Sequence, residues 1–333
     1  MRSIVITAPG EPDVLQLQSR SKPVCAHSEI LVRIRATAVN RADVLQRKGN
    51  YPPPAGASPD VPGLEYAGIV EAVGAQVTDF KAGDRVFGLA AGGTYQDYLG
   101  VESATAMHIP AELSWLEAAA IPEAFITAYD AAFLQAQLKE KEYFLVSAAG
   151  SGVGIAAAQM ARALGVISIG TVRQASKVEE LKKYFDHVIC VQNAQFESAV
   201  NEISGGGVDV VLELVGGDYV AEDLKCTRSK GRIMVVGLLA GAKCNFSLGT
   251  LLSKRLTVKG TTLRGRSTEE KSQVTKEFES QIMPLFSQGK LKAVVDKVFA
   301  LNDAAAAHKM MEANENFGKI VLDLGAENDN EHE

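Results

Sequence analysis

The residues best suited to chemistry lie in "SAAGSGVG", Ser147 to Gly154. An apolar run, "YFLVSA", leads into this string, and a helical run, "VGIAAAQMARAL", leaves it. The backbone N–H groups and partial positive charge of such a helix start can bind a pyrophosphate. The string departs from G-x-G-x-x-G: Ala149 stands at the first glycine and Ser151 at the second, with Gly154 in place as the third. Gly150, Gly152 and Gly154 would let backbone approach a ligand, with Ala149 and Val153 completing the loop, and Ser151 would add a hydroxyl donor. The competing reading is a strand–helix turn that needs small residues for packing alone.

The second strand discriminates between nicotinamide cofactors. An NAD site sets an acid about 20 residues on, against the ribose diol. Here "VISIGTVRQASK" ends with Arg173, Ser176 and Lys177 and carries no acid. Two cations and a hydroxyl suit a 2′-phosphate, which favours NADPH. The plain alternative is a pair of solvated charges, although cations at a helix N-terminus are mildly unfavourable without an anion.

The surrounding elements fit a doubly wound α/β domain. From Tyr143 to Thr262 short apolar strands alternate with helices, expected over Val153–Leu164, Lys177–Phe185, about Phe196–Ile203 and Tyr219–Lys225. This pattern predicts a parallel sheet covered on both faces. The first third is β-rich, with strands "SIVI", "EILVRIRATAV" and "YAGIVEAVG", a Gly83-Asp84 turn and a proline-rich loop, Asn50 to Asp60. Ser114 reads as an N-cap and Pro122 as the start of a further helix. One longer helix, about Thr268 to Ser287, and the strands "VVDKVFAL" and "GKIVLDL" close the chain. The terminal segments, 1–121 and 264–333, therefore form one domain around an inserted cofactor domain, 122–263. The stretch 325–333 reads as a solvated acidic tail.

Composition sets limits. A formal charge of −6 on 333 residues, with no basic stripe, argues against a nucleic-acid partner. The least polar stretch, Val146 to Ala161, is shorter than the ~20 residues a membrane span needs. The N-terminus lacks a signal-peptide core, and four scattered cysteines suit a reducing cytosol, so a cytoplasmic protein is expected. His108, His187 and His308 read as strand-end or helix-surface residues.

Across residues 1 to about 324 the chain resembles the medium-chain dehydrogenase/reductase superfamily, and within it the zinc-free quinone oxidoreductases of the p53-inducible type. The segments that carry this are "AVNRADVLQRKGNYPPPAGAS", "VPGLEYAGIVEAVG", "KAGDRVFGL", "AAAIPEAFITAYDA", "VVGLLAGAKCNFSL" and "HKMMEANENFGKIVL". The resemblance implies a GroES-like catalytic domain, a Rossmann domain and an interdomain cleft for NADPH. It also implies hydride transfer to a quinone. A conjugated enone or alkenal acceptor, or an NADPH-binding regulatory protein with little turnover, is the alternative.

Zinc members of the superfamily have cysteine where Asn40 stands and histidine where Leu64 stands; neither replacement can ligate zinc. By resemblance Tyr51 orients the acceptor oxygen, and Asn40 and Asp43 line the nicotinamide side. The bland readings are that Tyr51 only walls the pocket and that Asp43 caps a helix or ties the loop. Thr127, Gly237 and Leu238 are carried over as cofactor contacts, with Phe246, Leu263 and Phe317 as apolar walls that could equally be core. Two departures are Ser151 for the usual glycine and Val191 for a tyrosine near the adenosine phosphate. A homodimer through the edge strand "RLTVKGTTL" is implied in the same way.

Overall fold

The computed structural model describes residues 1–325. The acidic tail, from residue 326 on, lies outside the described residues. The chain divides into two compact units: residues 1–123, 264–283 and 292 onward, and residues 124–263 with 284–291. The short stretch 284–291, assigned from sequence to the terminal domain, packs with the second unit.

The first unit begins with an antiparallel ribbon of β1 (Arg2–Ile6) and β2 (Leu15–Ser19). Next come β3 (Glu29–Val39), α1 (Arg41–Arg47), β4 (Glu65–Val73), β5 (Arg85–Leu89), β6 (Tyr98–Glu102), β7 (Ala106–His108) and α2 (Trp115–Ala119). The turn before β5 uses the expected chemistry. Gly83 has φ +92°, and the Lys81 N–H donates to the Asp84 carboxylate at 2.9 Å. The Ser114 hydroxyl caps α2 by accepting from the Glu117 N–H.

From Pro122 the chain does not form the expected α-helix. Pro122–Ile126 and Tyr129–Gln135 are wound as π-helix, with the Ala136 N–H donating to the Ala131 carbonyl at 3.0 Å.

The second unit then alternates β8 (Tyr143–Val146), α3 (Gly152–Ala163), β9 (Ile167–Val172), α4 (Val178–Leu181), β10 (His187–Cys190), α5 (Glu197–Ser204), β11 (Val208–Glu213), α6 (Tyr219–Cys226), β12 (Thr227–Val235), α7 (Leu248–Lys254) and β13 (Thr257–Gly260). The six strands are parallel in the order β10-β9-β8-β11-β12-β13, the doubly wound order 3-2-1-4-5-6. Leu145, Ile169, Val211 and Ile233 bury one sheet face beneath Val200 of α5 and Leu224 of α6. Helix α4 is shorter than expected, and α7 was not foreseen.

In the first unit α8 (Thr268–Gln281) stops where one continuous helix was expected, and α9 (Met283–Ser287), all but its first residue in the second unit, follows. Pro284 explains the break, because it lacks an N–H and its ring collides with the preceding turn. Then come β14 (Val295–Ala300), α10 (Ala304–Ala313) and β15 (Lys319–Asp323). The mixed sheet runs β14-β15-β3-β4-β5-β7, with β6 also on β3. Antiparallel pairing of Ile320 with Val39 brings Lys319 to the end of β3, beside Asn40. No helix among the described residues is long and apolar enough to cross a membrane.

Candidate active site

In the second unit all six strands point the same way, so their C-terminal ends share one edge. Order reverses between β8 and β11, and ligands of such sheets bind outside this switch point. The loop Ser147–Gly154 leaves β8 there. Ser147 ties it to β11: its hydroxyl accepts from the Leu214 N–H at 2.6 Å. The Ala149 N–H donates to the Thr171 carbonyl at 3.0 Å, fixing the loop to β9.

The traded glycines have a structural answer. A Cβ on Gly170 of β9 would lie 2.8 Å from the Ala149 Cβ, so a glycine in the second strand makes room for an alanine in the loop. Ser151 is the N-cap of α3, its hydroxyl accepting from the Gly154 N–H at 3.0 Å. The cap leaves the amides of Gly152 and Val153, the first of the helix, without intrahelical acceptors. Gly154 is required by contact: a Cβ there would sit 2.7 Å from the Ala149 carbonyl oxygen and 2.8 Å from that of Ala148.

Other expected residues follow the C-terminal ends of β9 and β12. Arg173 and Ser176, just past β9, are exposed, and Lys177 is half-buried. Past β12, Gly237 packs so tightly that a Cβ would reach the Leu214 carbonyl oxygen at 2.3 Å, while Leu238 is exposed. Thr127 and Leu263 are buried and Phe246 is exposed. Val191 belongs to the core cluster of the unit.

Sequence reading missed Glu213. Its Oε1 accepts from the N–H groups of Val215 and Gly216, shaping the turn after β11. Asp223 is buried with it, and desolvation pushes both carboxyls upward.

The first unit holds Asn40, Asp43, Tyr51 and Phe317. Asn40 begins α1, and its amide is committed on both sides. Nδ2 donates to Glu65 Oε1 at 2.8 Å, and Oδ1 accepts from Lys319 Nζ at 2.6 Å. Lys319 also pairs with Glu65 Oε1 at 2.7 Å, with both side chains almost wholly buried. Asp43 is 0% exposed, which leaves it no surface with which to line a pocket. It accepts from the N–H groups of Asn40 (2.8 Å) and Gly63 (2.9 Å), so it caps α1 and ties down the following loop. Burial raises its carboxyl to about 6, against those two hydrogen bonds.

Tyr51 is half-buried, with the Arg264 guanidinium 5.2 Å from its ring centroid and donating to its carbonyl at 3.4 Å. Arg264 is fixed by Gln46 (2.5 Å) and the Ala91 carbonyl (2.7 Å). Burial raises the Tyr51 hydroxyl. Phe317 donates its N–H to Asp296 at 2.9 Å.

His308 requires a correction. It was expected on a helix surface, yet it is 0% exposed on the inner face of α10. Arg47 Nη1 can only donate, so His308 Nδ1 accepts (3.5 Å). Nε2 then donates to the Tyr95 hydroxyl (3.2 Å), which donates to Asp43 (3.4 Å). Burial, and then the Arg47 charge, lower His308 to about 3. An unfolded histidine protonates near 6.5, so this neutral ring stabilises the fold above that pH, and the contribution is lost as pH falls toward 3. Asp43 has the opposite sign, because its raised carboxyl eases folding under acid. A double difference isolates the imidazole: between pH 7 and 4 the protein should lose roughly 3 kcal/mol more than His308→Gln does, read from paired urea titrations.

The geometry agrees with what the chain is similar to. Residues 26–111 match the alcohol dehydrogenase GroES-like domain, and residues 152–312 match the zinc-binding dehydrogenase domain. Quinone oxidoreductase 1 of Escherichia coli (strain K12) is 34% identical over 94% of this chain and 96% of its own. This chain belongs to the medium-chain dehydrogenase/reductase superfamily, of the quinone oxidoreductase type. Its first unit is thus GroES-like and its second Rossmann-like, as expected.

The human synaptic vesicle membrane protein VAT-1 homolog is also similar to this dehydrogenase/reductase, 33% identical over 99% of this chain and 88% of the human one. The crystal structure of Escherichia coli quinone oxidoreductase complexed with NADPH superposes with a TM-score of 0.86 at 33% identity, covering 97% of this chain and all of that one. At the positions where zinc members carry ligands, this chain has the committed amide of Asn40 and the buried Leu64, and among the described residues no group of three or more His, Cys, Asp or Glu could hold a metal ion.

Proposed function

We propose that this oxidoreductase transfers hydride from NADPH to a quinone. The observation that carries the cofactor reading is a capped, glycine-tight loop at the switch point, beside a second strand that ends in Arg173 and no acid. The amides of Gly152 and Val153 and the hydroxyl of Ser151 would hold the pyrophosphate, and Arg173, Ser176 and Lys177 the 2′-phosphate. NADPH supplies the hydride when bound. Tyr51, steadied by Arg264, would orient the acceptor oxygen. Likeness to the Escherichia coli enzyme over nearly the whole chain supports a quinone as acceptor. A cytoplasmic homodimer paired through β13 belongs to the same proposal.

The test is NADPH oxidation by the purified protein against 1,2- and 1,4-quinones, alkenals and no acceptor. Turnover with quinones is expected. Fluorescence changes of NADPH without turnover would instead support a binding protein. Arg173→Ala should raise the Kd for NADPH about tenfold, the loss of a charge-assisted contact, and leave NADH unchanged. Equal affinity of the unaltered protein for NADH and NADPH would remove the phosphate role from Arg173.

A further inference from the structure

We propose that Arg264 is a positioning residue for this reaction, its buried charge acting through Tyr51 on the acceptor oxygen as that oxygen turns negative. The proposal rests on the quinone-reductase reading above, in which Tyr51 orients the acceptor.

Arg264 opens the segment that returns the chain to the first unit, and it draws three parts of that unit together. Nε donates to the Ala91 carbonyl, past β5, at 2.7 Å, and Nη2 donates to Gln46 Oε1, in α1, at 2.5 Å. Nη1 donates to the Tyr51 carbonyl at 3.4 Å. The guanidinium also lies over the Tyr51 ring, 5.2 Å from its centroid and within cation–π reach. Gly92 makes room for the fork: a Cβ there would stand 3.3 Å from Nη2.

All three acceptors are neutral. Arg264 is 6% exposed, and among the described residues no carboxylate is ion-paired with it. Asp43 and Glu123 act on its charge without a hydrogen bond, and Asp43 is spent on the N–H groups of Asn40 and Gly63. A guanidinium keeps its proton at any working pH, and enclosing one without a counterion is costly. Two other buried cations of the unit do have partners, Lys319 with Glu65 at 2.7 Å and Arg47 with Glu312 at 2.9 Å. Gln46 adds to the imbalance. Its Oε1 is taken by Arg264, and its buried Nε2 has no acceptor. This corner, beside Tyr51, is short of negative charge.

The reaction supplies that charge. The quinone gains a hydride, with its two electrons, from NADPH, and its oxygen is negative until water protonates it to give hydroquinone. An interaction that strengthens as this charge grows lowers the barrier. Burial raises the Tyr51 hydroxyl, and the Arg264 charge works against that rise. The hydroxyl is therefore a better hydrogen-bond donor to an oxygen turning negative.

The test uses the full chain and two probes. The first is 4-nitrophenol, whose coloured anion imitates the reduced acceptor. With the unaltered protein in excess, its ionisation should move about one pH unit lower, a tenfold preference for the anion. Arg264→Gln should lose this preference, and Arg264→Lys, which keeps the charge but breaks the fork, should recover most of it. The second probe is a 1,4-quinone. Arg264→Gln should lower its kcat about 10- to 100-fold with the NADPH Kd unchanged, and Arg264→Lys should recover part. A merely structural role would damage both variants alike. Equal losses in the two, or an unshifted titration with the unaltered protein, would overturn the assignment. A shifted titration without any quinone turnover would uphold the charge at this site and overturn the quinone reading instead.

Discussion

Lys319→Met should destabilise the first unit by about 3–5 kcal/mol, the cost of leaving a buried carboxylate without its partner. Glu65 is 0% exposed, and Lys319 Nζ reaches both its Oε1 (2.7 Å) and the Asn40 amide oxygen (2.6 Å). Methionine matches the stem but offers no donor, so two buried acceptors lose a bond at once. The single tryptophan, Trp115, lies in α2 of the same unit and supplies the probe. Its fluorescence melt should shift downward by about 10 °C. Adding Glu65→Gln should restore much of the loss, because it removes the stranded charge. A shift under about 2 °C would mean that Glu65 does not carry that charge.

Gly154→Val should weaken NADPH binding about 10- to 100-fold. The side chain would begin 2.7–2.8 Å from two carbonyl oxygens of the loop it must pack against. These are backbone atoms, so the helix start has to lift away from Ala148 and Ala149. Overpacking of this kind costs ~1–3 kcal/mol, and each 1.4 kcal/mol is tenfold in affinity. Fluorescence titration with NADPH measures it, and Trp115 should report an unchanged melt for the first unit. Unaltered affinity would detach this loop from the cofactor.

How far the sequence could be read depended on the separation between partners. Strand–helix alternation between Tyr143 and Gly260 is local, and it yields the parallel sheet directly. The Ser114 cap and the Gly83-Asp84 turn are local too. Glu65, Asn40 and Lys319 are different: their association depends on β15 pairing with β3, and nothing near any of them announces it. The π-winding after Pro122 adds a hydrogen-bond shift that apolar periodicity does not encode. For His308 a signal did exist. Ala304, Ala307 and Met311 fall at helical spacing with it and are all buried, so the pattern already put the ring inside. The proposed role of Tyr51 came from resemblance, and the chemistry of its loop did not disclose Arg264 beneath it.

The pairing of β15 with β3 also sets an order of events during synthesis. The second unit needs the chain only as far as residue 291, whereas the first waits for residues 319–323 to complete its sheet. At ~5–20 residues per second, the stretch from residue 123 to residue 319 takes roughly 10–40 s to emerge. Throughout that interval Glu65 has no lysine, and β3 presents an open edge on the nascent chain. The nucleotide-loop unit is thus the first to mature, and the opening third of the message encodes the last structure to close.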